Sequence, residues 1–194
     1  MAENKSIYAF RLRDYRNNEF NLGLFRNKVI IIVNVASKCG LSETSYRKIK
    51  ETLDRHRNQV VFVLCPCKQF LKQEHDDPNE ISQFVESKLR GHYEHVEGVA
   101  ESNISVEKEV ITEKTNVVLT ETIHVRGSNI DPLFDFLISK KGGFITNTIK
   151  WNFSSFLVDR NGEVVARYSP MDFITWNDPK LEAALERKNQ PYIC

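Results

Sequence analysis

Residues 29–36 read Val29-Ile30-Ile31-Ile32-Val33-Asn34-Val35-Ala36, and Val60-Val61-Phe62-Val63-Leu64 forms a second run of the same character. Such apolar, β-branched runs are the mark of strands buried on both faces, because half-exposed strands alternate instead. Between the two runs, Leu41, Tyr46, Ile49 and Leu53 fall at roughly helical spacing, with Ser42, Glu43 and Thr44 suited to a helix start. A strand–helix–strand unit built this way commits the chain to an α/β fold.

The flanking segments extend that core. Residues 7–12 and 19–22 read as a short hairpin around the polar turn Asp14-Tyr15-Arg16-Asn17-Asn18. Asp77-Pro78-Asn79-Glu80 starts a helix that turns Ile81, Phe84, Val85 and Leu89 inward. Residues 130–139 read as another helix, with Pro132 in its first turn, and Asp178-Pro179 starts a last one through Leu181 and Leu185. Residues 153–158 and 163–168 flank Asp159-Arg160-Asn161-Gly162, whose Asn-Gly pair predicts a hairpin. Residues 97–122 are polar, with alternating Ile104, Val106, Val110 and then Val117, Leu119 around Thr112-Glu113-Lys114-Thr115-Asn116. That pattern predicts a projecting β-hairpin inserted into a single domain spanning residues 1–194, a disordered insertion being the other reading.

Composition removes several function classes. Net charge is +1, with acidic and basic residues nearly balanced, so nothing favours nucleic acid as a partner. No apolar run approaches the roughly 20 residues that cross a bilayer. The start, Met1-Ala2-Glu3-Asn4-Lys5, lacks the apolar stretch of a secretory signal. With no such signal, Cys39, Cys65, Cys67 and Cys194 are expected as reduced thiols in the cytoplasm. The five histidines are scattered and Cys65-Pro66-Cys67 has no matching pair, so no metal site is expected.

Cys39 is the chemically suggestive residue. It sits at Ser37-Lys38-Cys39-Gly40, where the first buried strand runs into the helix. A thiol at the positive end of a helix dipole is favoured as thiolate, its reactive form. A buried structural cysteine fits the same position equally well.

Three segments carry a family resemblance. Asn34-Val35-Ala36-Ser37-Lys38-Cys39-Gly40-Leu41 resembles the active-site segment of glutathione peroxidases. Pro66-Cys67-Lys68-Gln69-Phe70, followed by Gln73-Glu74, is similar to their second signature. Ile149-Lys150-Trp151-Asn152-Phe153, running on to Gly162, is similar to their third. The resemblance implies a thioredoxin-like fold, with a central mixed sheet flanked by helices. It implies reduction of hydroperoxides by a peroxidatic cysteine, with a catalytic set of Cys39, Gln73, Trp151 and Asn152 and no bound cofactor. Cys39 would attack the peroxide, while the two amides and the indole N–H are neutral donors aimed at developing negative charge. Gln69, in the same loop, is expected to shape it by hydrogen bonds.

Departures from the family pattern bear on the reducing half of the cycle. Where many relatives carry a resolving cysteine, this chain has Glu86. The implied reductant is therefore an external thiol, glutathione in two steps, with thioredoxin as the alternative. Cys65 and Cys67 are poorly placed to pair with each other, and either would need loop movement to reach Cys39. Lys68 replaces the family's asparagine, which suggests favour for anionic substrates or glutathione carboxylates. Leu71 replaces a glycine; if that glycine serves a positive φ, leucine strains the loop or forces another path. Residues 141–148 form a short connection like that of monomeric members open to bulky lipid hydroperoxides, so a monomer is expected, with a dimer the alternative. A second function class also fits: a peroxide sensor that relays oxidation from Cys39 to a partner protein.

Overall fold

In the computed structural model, which describes residues 6–93, 111, 114–142 and 147–187, the two apolar runs are neighbouring parallel strands. β3 (Val29–Val35) pairs with β4 (Val60–Pro66) in register from Val29 opposite Val60 to Val35 opposite Pro66. They follow the N-terminal hairpin, β1 (Arg11–Arg13) and β2 (Glu19–Asn21), which pair antiparallel as expected. Helix α1 (Ser42–His56) makes the crossover between β3 and β4.

The central sheet has the order β5-β4-β3-β6-β7. β5 (Val117–Leu119) runs parallel to β4, while β6 (Ser155–Val158) is antiparallel to β3 and β7 (Val164–Tyr168) to β6. This mixed sheet, with helices on both faces, is the thioredoxin-like arrangement that the family resemblance implies.

Side-chain alternation sorts the core into two halves. Val29, Ile31, Val33 and Val35 of β3 join Val60, Phe62 and Leu64 of β4 beneath α1, α2 (Pro78–Leu89) and α4 (Pro179–Glu186). Ile30, Ile32, Val61 and Val63 point the other way, towards α3 (Pro132–Lys140) and the N-terminal hairpin. Each buried side chain of this size contributes about 1.5–3 kcal/mol, which is why both strands need apolar residues throughout.

Three helices start with the same device. Asp77, Asp131 and Asp178 each accept a backbone N–H two residues on, at 2.8 Å, with proline as the first helical residue. The carboxylate satisfies an orphan donor, and proline has none to waste.

One expectation needs correcting. Val117 and Leu119 are not the second arm of a projecting hairpin but belong to the edge strand β5, buried and hydrogen-bonded along β4. The reason is Val118 between them: the run is continuous, with Val117 and Leu119 covered on one face and Val118 on the other. The first arm, with Ile104, Val106 and Val110, lies outside the described residues, as do Cys194 and part of the 141–148 connection.

Candidate active site

The strand β3 ends one residue before a tight turn that carries Cys39. Cys39 N–H donates to the Ala36 carbonyl and Ser42 N–H to the Cys39 carbonyl, at 3.3 and 2.9 Å, folding residues 36–42 into the entry of α1. Unlike the other three helices, α1 has no side-chain cap: Leu41 occupies the cap position with helical dihedrals. Ser42, expected as start chemistry, is the first helical residue and accepts nothing there. The helix end behind Cys39 thus keeps its backbone donors free of a side-chain acceptor, a field that favours negative charge. Cys39 itself is 4% exposed.

Gln73 reaches this turn through the loop that follows β4. Lys38 N–H donates to the Gln73 carbonyl at 2.8 Å, so the residue beside Cys39 is tied to the backbone of Gln73. Glu74, 3% exposed, adds a second tie: its Oε1 accepts from Ser37 N–H at 3.0 Å and from His75 N–H at 2.9 Å. Burial pushes the Glu74 carboxyl up, while the Ser37 and His75 donors pull it down.

The loop also bears the predicted strain. Leu71 and Lys72 sit at φ +53° and +50°, so leucine adopts the left-handed turn rather than rerouting the chain. Leu71 is 75% exposed there, an apolar side chain on the rim of the loop. Gln69 anchors the loop's other end, as expected: Oε1 accepts from Val125 N–H at 2.7 Å, and Nε2 donates to the Arg126 carbonyl at 2.8 Å. Arg126 in turn lies 4.3 Å over the Phe70 ring, and Phe70 packs 5.8 Å from Trp151. Lys68 is already engaged, paired with Asp76 at 2.8 Å.

Trp151 and Asn152 arrive on the segment before β6, and Asn34 holds that segment. Asn34 interrupts the apolar run of β3 and is fully buried. Its Nδ2 donates to the Trp151 carbonyl at 3.1 Å and its Oδ1 accepts from Ser154 N–H at 3.0 Å. Phe153 lies between them at φ +64°, an uncommon conformation for a bulky residue. Packing fixes it: the ring is fully buried and meets Tyr46 edge-on at 5.9 Å. The strand expected from residue 153 therefore begins at Ser155: Phe153 N–H still donates to the Asn34 carbonyl, at 2.6 Å, but its positive φ breaks the extended backbone.

The site closes through a side-chain bond. Asn152, fully buried, donates its Nδ2 to Gln73 Oε1 at 3.0 Å. Gln73 thereby has its oxygen engaged and its NH₂ group left with both donors. The geometry joins Gln73 to Asn152 directly and joins both to the Cys39 turn through Lys38. Trp151 is positioned by Asn34 and Phe70, and among the described residues neither it nor the two amides hydrogen-bonds the Cys39 sulfur. A half-buried amide and an indole N–H without other partners among the described residues suit a transient anion better than a permanent one. Cys65 and Cys67 lie among the residues of the opposite face of the sheet, and burial pushes both thiols up.

Sequence reasoning missed Asn34 and Glu74 as organisers. Asn34 carried a signal, being a polar residue inside a run buried on both faces, which must find partners there.

A sequence profile described as "Glutathione peroxidase" matches residues 7–103. A "Probable phospholipid hydroperoxide glutathione peroxidase" of Nicotiana sylvestris is 37% identical over 86% of this chain and 85% of its own length. The crystal structure of T. cruzi GPX1 is 26% identical, with a TM-score of 0.64, covering 93% of this chain and 97% of that one. A thiol:disulfide interchange protein of the thioredoxin family from Chlorobium tepidum shares the fold at 15% identity, with a TM-score of 0.51 over 95% of this chain and 99% of its own.

Proposed function

The chain belongs to the glutathione peroxidase family and is a peroxidase-type oxidoreductase; from that premise we propose that Cys39 is its peroxidatic residue, acting on hydrogen peroxide and organic or lipid hydroperoxides. The observation that carries this reading is the Gln73–Asn152 bond beside the Cys39 turn. The Cys39 thiolate attacks one peroxide oxygen; the O–O bond breaks, and the leaving oxygen departs as an alcohol or water after taking a proton. Gln73 and Trp151 donate to the negative charge that builds up on the oxygens, and Asn152 orients Gln73. Cys39 is left as a sulfenic acid.

An external thiol, in this reading glutathione, then completes the cycle. The first thiol condenses with the sulfenic acid, releasing water and leaving a mixed disulfide; the second displaces it and regenerates Cys39. This route is supported by the positions of the other sulfurs. Cys65 and Cys67 pack with the core cluster on the face opposite that of Cys39, and the helix position expected for a resolving cysteine holds a half-buried Glu86. The same arrangement suits the sensor reading, in which a partner protein's thiol takes the place of glutathione. No bound cofactor takes part in either scheme.

The proposal extends to a monomeric, cytoplasmic enzyme. The free thiols of Cys39, Cys65 and Cys67 are in keeping with a reducing compartment, and no helix among the described residues is long and apolar enough to cross a membrane. The exposed Leu71 beside the site suits an apolar peroxide.

The test is rapid-mixing peroxide consumption with glutathione, with thioredoxin, and with neither. Cys39→Ser is expected to abolish turnover, and substoichiometric peroxide to modify Cys39 before Cys65 or Cys67. Fast oxidation of Cys39 with negligible turnover on either reductant would instead establish the sensor.

A further inference from the structure

Glu74 is an acid in a place that ordinarily excludes one. It is 3% exposed and has no cationic partner among the described ion pairs. Its Oε1 takes two backbone donors, one from its own chain direction (His75) and one from the Cys39 turn (Ser37). Among the described residues its Oε2 is buried without a hydrogen-bond partner, as are Ser37 Oγ and Tyr46 Oη. A carboxylate left half-satisfied in an apolar core is costly to bury, so its presence there calls for a reason.

The connectivity supplies one. Ser37 and Lys38 immediately precede Cys39, and their two N–H groups bond to Glu74 and Gln73 respectively. These two bonds form a rung between the turn that carries the thiol and the loop that carries the amide donor. Gln69 and the Asn152 side chain brace the Gln73 loop elsewhere, but among the described hydrogen bonds it meets residues 37–39 only through these two. A single backbone bond from Lys38 to Gln73 fixes one point of the contact between loop and turn; the second bond, through the Glu74 side chain, fixes its angle.

We propose that Glu74 is a positioning residue, whose buried carboxylate locks the Gln73 loop against the Cys39 turn and so places the Gln73 amide for the peroxide step. This rests on the peroxidatic reading of Cys39 and Gln73. Glu74 touches neither peroxide nor thiol; it acts through Gln73. What it supplies is an acceptor of the right reach, not a charge.

The experiment compares two reactions of the same sulfur. Oxidation of Cys39 by hydrogen peroxide needs both thiolate and donor, whereas alkylation by iodoacetamide needs only thiolate and access. Glu74→Ala is expected to slow peroxide oxidation by about tenfold or more, the scale of a small misplacement, with alkylation changed by less than about twofold. Glu74→Gln, which keeps an acceptor oxygen at the same reach, is expected to recover most of the rate. Combining Glu74→Ala with Gln73→Ala is expected to be no slower than Gln73→Ala alone, the signature of residues acting as a unit.

Three results would overturn the proposal: oxidation of Glu74→Ala at the wild-type rate, full multiplication of the two losses, or a Glu74→Gln loss as large as that of Glu74→Ala. Should Glu74→Ala not fold, Glu74→Asp decides, because its shorter arm keeps the charge but loses the reach to Ser37; a wild-type oxidation rate there is equally fatal. Failure of the peroxidatic reading looks different, as Cys39→Ser would then retain turnover or Gln73→Ala would oxidise normally.

Discussion

Asn152 donates to the Gln73 side-chain oxygen at 3.0 Å, a bond between residues 79 positions apart that joins the loop after β4 to the segment before β6. It fixes which end of the Gln73 amide is spent and which is left to act. Asn152→Ala should therefore lower the second-order rate of Cys39 oxidation by roughly ten- to a hundredfold, the range for a misaligned donor. Stopped-flow oxidation checks this, and an iodoacetamide rate near that of the wild type shows that the thiol itself is untouched.

Asn34 acts on stability. Its side chain carries two bonds inside the sheet, to Trp151 and to Ser154. Asn34→Ala leaves the buried Ser154 N–H without its acceptor and removes one of two donors to the Trp151 carbonyl, the Ser154 hydroxyl remaining at 3.2 Å, for an expected loss of about 1–3 kcal/mol in urea denaturation. A loss below about 1 kcal/mol would show that the bracket is dispensable.

Leu71 offers the opposite sign. With φ at +53° and the side chain 75% exposed, leucine gains little from packing and suffers the left-handed penalty. Leu71→Gly is expected to raise stability by about 0.5–1 kcal/mol, visible as a higher Tm. An unchanged or lower Tm would mean that the rim makes contacts outweighing the strain.

Burial holds the Glu74 carboxyl above the ordinary glutamate value of 4.5. A folded pKa above the unfolded one means that the folded state prefers the protonated form. Its contribution is fully present below pH 4.5 and is lost as pH rises through the folded value. Glu74→Gln keeps the acceptor and does not titrate. The stability of Glu74→Gln relative to wild type should accordingly increase as pH rises above 4.5 and level off once pH has passed the folded value. A series of urea denaturations across that range reads the difference directly; a flat line contradicts it.

The fold was readable wherever local chemistry and tertiary packing agree. β3 and β4 are apolar throughout because both faces are covered, and the Asp-Pro helix starts at Asp77, Asp131 and Asp178 need only nearby backbone. Val117–Leu119 was misread because a three-residue strand is too short to separate alternation from continuity when Val118 is passed over. In the candidate site the motifs name Cys39, Gln73 and Asn152, and folding brings the Gln73 and Asn152 side chains together beside the Cys39 turn, while the two bonds of Gln69 to residues 125 and 126 give it the loop-shaping role expected. Asn34 was not legible, because its partners lie 117 and 120 positions away and only folding brings them near. Glu74 was hidden for a different reason: next to Gln73 in a polar loop, nothing local says that its carboxylate turns inward.

The two-sided sheet has a kinetic consequence. Cys39 packs with the side chains on the α1 face of the central sheet and Cys65 and Cys67 with those of the opposite face, so the single sheet layer separates the proposed peroxidatic sulfur from the other described thiols. On the peroxidatic reading of Cys39, oxidation there has no other described thiol on the same face of the sheet to pass to. The lifetime of the oxidised protein then depends on the concentration of thiol in its surroundings. Such a molecule turns over quickly where thiol is plentiful and stays oxidised, open to further oxidation, where it is scarce.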